Sequence, residues 1–125
     1  MPSAKEGYGL LFLAYPRAPG YKFQILVNGK AAAGHLRKNS YVYAYLPPGD
    51  HVLIARAATD PPDTPSLRIS IERGQTYYVR LVHVRRIKST TPARQAMGMG
   101  PLLKDSFRLE QVSEEIGQRI LRSLR

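Results

Sequence analysis

Three histidines, His35, His51 and His83, are the residues of this chain best suited to acid–base work or to metal binding. They fall on or beside three different expected strands, and no two stand two or four residues apart. Neither a local ligand pair nor a nucleophile–base couple is therefore spelled out. For His51, which follows Pro47-Pro-Gly-Asp50, a hydrogen bond to the backbone of that turn is the stronger reading than a three-histidine metal site. The carboxylates have equally local explanations. Asp50, Asp60 and Asp63 sit in expected turns, where aspartate satisfies nearby amides. Glu114 and Glu115 suit the N-terminus of a helix, and Glu72, Asp105 and Glu110 show no pairing for glycoside hydrolysis. No Gly-x-Ser-x-Gly elbow occurs, and Gly98-Met-Gly100 lacks the Lys-Ser or Lys-Thr of a phosphate loop. The reading assigns no catalytic residue, no metal ligand and no cofactor.

Binding chemistry is better represented. Arg85, Arg86, Lys88, Arg94 and Lys104 crowd one stretch, and Arg37 and Lys38 stand in another turn. Such side chains hold phosphates in a salt-dependent, largely sequence-blind way. Tyr41, Tyr43 and Tyr45 recur with period two and so share one face of a strand, with Val42, Ala44 and Leu46 on the other. Exposed, the three rings make a platform for sugars or bases. Packed, they fill one side of a core with their hydroxyls at its rim.

The elements that position these residues are short and β-rich. Gly7 to Tyr15 is a continuous apolar run, as in a central strand covered on both faces. Lys22 to Val27 leads into Asn28-Gly29, a hairpin signal, with Lys30 to Leu36 as the returning strand. Further strands are expected at Tyr41–Leu46, His51–Ala57, Leu67–Ile71, Thr76–Val84 and Leu102–Leu109. Turn clusters lie at Pro16–Gly20 and Thr59–Pro65. Arg85 to Gly100 has no acidic residue and little periodicity, and reads as a long loop. Ser113 caps a closing helix whose apolar stripe is Ile116, Ile120, Leu121 and Leu124.

Bulk composition agrees. The 125 residues suit one domain, and a 43% hydrophobic fraction suffices for a core without staples. Ten prolines and ten glycines favour many short strands. Without cysteine there is no disulfide and no thiolate site. No run approaches the roughly 18 apolar residues of a membrane helix. The net charge of +10 attracts anions in general and names none.

Asn28-Gly-Lys30, Ser40-Tyr-Val-Tyr43, Leu46-Pro-Pro-Gly-Asp-His51 and Ile71-Glu-Arg-Gly-Gln-Thr-Tyr-Tyr-Val-Arg80 follow one another in this order. The arrangement resembles a bacterial family of uncharacterised lipoprotein-like domains with a prealbumin-like or carbohydrate-binding-like fold, and PEGA-type domains share its hairpin logic. It covers roughly Gly9 to Val84, with Phe107–Val112 as a closing strand. The resemblance implies an exported protein of the periplasm or outer envelope whose leader has been removed; without a leader the expected location is cytoplasmic. The chain lacks a lipobox cysteine.

The expected architecture is mainly β: a single antiparallel β-sandwich of about seven strands with one C-terminal helix. Residues 1–6 are expected to be disordered, 7–112 to form the sandwich with its basic loop at 85–100, and 113–125 to form a helix on or beside it. The expected function is a non-enzymatic envelope module binding a protein partner through strand edges or the basic stretch. A carbohydrate or cell-wall module is the second reading, resting on the tyrosines. Binding of nucleic acid or another anionic polymer is the third, resting on charge.

Overall fold

Glycine and proline clusters cut the apolar sequence into short runs, and the runs become strands. The computed structural model describes residues 2–3, 5–16, 22–57, 64–89, 97–98 and 102–124, with 32–33, 85–89 and 102–105 described as backbone. The strands are β1 (Gly9–Tyr15), β2 (Phe23–Val27), β3 (Lys30–Leu36), β4 (Ser40–Leu46), β5 (Gly49–Ala57), β6 (Ser66–Ile71), β7 (Thr76–Ser89) and β8 (Leu102–Val112). One helix, α1 (Glu114–Ser123), closes the chain. Most of the Pro16–Gly20 and Thr59–Pro65 turns lies outside the described residues, as does Arg94.

The chain alternates between two four-stranded sheets, ordered β4-β1-β7-β8 and β3-β2-β5-β6. Asn28 and Gly29 take φ of 53° and 83°, as a type I′ turn between β2 and β3 requires. Asn39, at φ 56°, turns β3 into β4 and carries the chain back to the first sheet. The expectation of a wholly antiparallel arrangement needs correction, because β1 and β7 run parallel, from Leu10↔Thr76 to Ala14↔Arg80. The chain returns to the first sheet twice, at β4 antiparallel to β1 and, after the β5–β6 hairpin of the other sheet, at β7 in the direction of β1.

Strand β1 is buried at every position. Leu11, Leu13 and Tyr15 join residues of both sheets in one core, together with Phe23, Ile25, Leu53, Ile69, Leu81, Phe107 and others. Tyr15, Phe23 and Phe107 meet there edge to face, with centroids 4.9–6.0 Å apart. The opposite face of β1, made of Leu10, Phe12 and Ala14, packs with Tyr78 and Leu121 in a second apolar layer. Two covered faces explain the unbroken hydrophobic run.

Helix α1 forms the lid of that second layer. The Ser113 hydroxyl accepts the Ile116 amide N–H at 3.3 Å, Glu114 and Glu115 occupy the first turn, and Arg122 the last. Its apolar stripe differs from expectation: Ile116 is exposed, and Gly117 is buried in its place. A Cβ at Gly117 would overlap the Tyr78 ring. The helix therefore lies close against Tyr78 at Gly117, on the face it shares with Leu121 and Leu124, and Ile116 falls off that face. Among the described residues no helix is long and apolar enough to cross a membrane.

Candidate functional site

Asn28, Pro47 and His51, from two of the segments quoted for the resemblance, come together as a structural clasp. Asn28 Nδ2 donates to His51 Nδ1 at 3.0 Å, and the Val52 amide donates to Asn28 Oδ1 at 2.9 Å. With Nδ1 accepting, Nε2 carries the proton and donates to the Pro47 carbonyl at 2.7 Å. The bond to Pro47 is the one expected of His51, and the bond from Asn28 adds a tie between the β2–β3 and β4–β5 turns. The Tyr77 hydroxyl similarly accepts the Glu72 amide at 2.8 Å across the β6–β7 turn. His35 lies exposed on edge strand β3, and His83 lies on β7 with its ring 5.2 Å from Phe107. The histidines thus occupy separate strands in two sheets. Among the described residues no group of three or more His, Asp or Glu is placed to hold a metal ion.

The tyrosine stripe faces away from the core between the sheets. Val42, Ala44 and Leu46 face that core. Tyr41 and Tyr45 join the outer layer with Phe12 and Tyr78, and Tyr43 is 46% exposed. Phe12 lies 5.8 Å from Tyr41 and 6.4 Å from Tyr43, and Tyr43 stands edge-on to Tyr45 at 6.0 Å. The Tyr45 hydroxyl donates to the Ser3 carbonyl at 2.8 Å, and the Lys5 ammonium sits 5.7 Å from the Tyr45 ring. Residues expected to be disordered therefore lean on part of this face, and Tyr43 is the ring most open to a partner.

The first five residues of the expected loop, 85–89, are strand, whereas 90–96 and 99–100 lie outside the described residues. β7 continues through Ser89, and β8 pairs with it in register from Tyr78↔Val112 out to Ser89↔Leu102. The pairing of β1 with β7 ends at Ala14↔Arg80. Beyond that point β7 and β8 form a two-stranded ribbon that overhangs the sheet. Arg85 stands opposite Asp105, and Arg86 stands opposite Lys104. Lys88 lies further out, beside the register shift between Ile87 and Ser89.

At the ribbon's base is a cluster that the sequence reading missed. Arg80 Nε and Arg108 Nε reach the two oxygens of Glu110 at 2.9 and 2.8 Å. Two guanidinium groups share one carboxylate, so the cluster keeps a positive charge. Arg80 and Glu110 are cross-strand partners, a relation visible only once the β7–β8 register is known. No protein-family model, curated protein or solved structure matches this chain.

Proposed function

We propose that the two sheets form a prealbumin-like β-sandwich and that the domain works without catalysis, as an assembly module of the bacterial cell envelope. In this reading it docks a protein partner through the β7–β8 ribbon. The supporting observation is the overhang: β7 and β8 pair with each other well past the end of β1. Past Arg80, β7 has lost its β1 neighbour, and β8 is the last strand of its sheet. Unpaired strand edges are templates for an added strand, and the ribbon's cations select an acidic partner.

The ribbon also favours a second reading. A two-stranded ribbon fits the major groove of DNA, and arginine and lysine bind phosphate without sequence preference. The carbohydrate reading keeps Tyr43 as its main open ring.

The two leading readings separate in an affinity capture from envelope extract at low and high salt, using wild type and an Arg86→Glu/Lys104→Glu variant. The assembly module predicts one protein retained at high salt by wild type and lost by the variant. Capture of nucleic acid or anionic polymer alone, released as salt rises, contradicts it and favours the charge-driven reading.

A further inference from the structure

The end of β1 leaves a step in the first sheet. Pro16 follows β1 and has no N–H with which to extend the pairing, while β7 runs on to Ser89. The last turns of α1 lie over this step. Between them opens a groove of ≈ 530 Å³, whose lining includes Pro16, Arg80, Val82, Arg119, Ile120 and Ser123. Small-molecule sites span roughly 300–1,000 Å³.

The lining combines two chemistries. Arg80 stands on the strand wall and Arg119 on the helix wall. Arg80 divides Glu110 with Arg108. Arg119 reaches Glu115 at 3.3 Å with its side chain 69% exposed, a tie of the kind worth little in water. Both guanidinium groups retain donors suited to the oxygens of an anionic head. Pro16, Val82 and Ile120 add apolar surface to the same lining.

We infer that this groove binds a small amphipathic anion, with a carboxylate or phosphate head held by Arg80 and Arg119 and a short apolar body against Pro16, Val82 and Ile120. The site is independent of the ribbon's role, since its lining lies at the ribbon's base and on the helix.

The test is an NMR titration of the full chain with octanoate and with octyl phosphate. Octyl glucoside supplies the tail without the charge, and inorganic phosphate the charge without the tail. The inference predicts saturable shifts centred on Val82 and Ile120 for both octyl anions, with the two controls at least about tenfold weaker. Arg119→Gln, at an exposed helix position, should weaken octyl phosphate about tenfold while leaving the Tm unchanged. Val82→Trp should abolish binding by filling the groove. Equal binding of octyl glucoside overturns the inference, as do shifts centred elsewhere or full affinity in Arg119→Gln. Octyl-anion binding in a protein that captures no partner would leave this site standing and remove the assembly reading; the reverse result would do the opposite.

Discussion

At the scale of single residues, stability depends on a few positions whose neighbours leave them no freedom. Asn28 combines a positive φ with three hydrogen bonds, two through its side-chain amide and one from its own backbone N–H to the Val52 carbonyl. Asn28→Ala removes the side-chain bonds and strains the turn, and should cost about 2–3 kcal/mol in chemical denaturation. Asn28→Gly keeps the turn and loses only the amide, so it should fall between the two. An Asn28→Gly as stable as wild type would show that the clasp to His51 contributes nothing. Gly117 gives a prediction of unusual sign. Replacing glycine by alanine in a helix ordinarily stabilises by up to about 1 kcal/mol. Here the added Cβ meets the Tyr78 ring, so Gly117→Ala should destabilise by about 1–3 kcal/mol through overpacking. A raised Tm in this variant would show that α1 does not lie against Tyr78. Both residues look ordinary in the sequence: Asn-Gly announces a turn, but nothing local announces its partner 23 positions away.

At the scale of elements, the strands and the helix were legible because their signals are local. Asn28-Gly29 and Pro47-Pro-Gly-Asp50 mark turns, period-two alternation marks β4 and β6, and Ser113 with its two glutamates marks the start of α1. The parallel β1–β7 neighbours were not legible, because strand order depends on contacts across the whole chain. The last five residues of β7 were missed for a different reason. Arg85-Arg86 interrupts the apolar alternation, and without that period a strand has no local signal. The ribbon's dependence on one partner strand is itself testable. Amide exchange should be slow at Val79, where β7 is paired on both edges, and faster beyond Val82, where β1 is gone. Uniform protection along β7 would mean that another segment covers the ribbon edge.

At the scale of the whole molecule, the charge of +10 states a preference for anions, and the fold determines where that preference is expressed. Residues 85–89 extend β7 into a ribbon with β8, and the tyrosines become an outer layer that is partly covered. Arg80, Arg108 and Glu110 form a cluster that composition alone does not reveal. Exposed charges more than about 8 Å apart are largely screened at physiological salt. Charge alone therefore predicts capture that fades steeply with ionic strength, whereas an added strand predicts capture that persists. The most direct measurement places a photo-crosslinking residue at position 86, on the ribbon, and in a second protein at position 30, on the edge of the other sheet, and irradiates intact cells. Docking through the ribbon predicts one discrete protein adduct from position 86, still present after washing at high salt, and none from position 30. Adducts of equal yield from both positions, or adducts to nucleic acid alone, would contradict it.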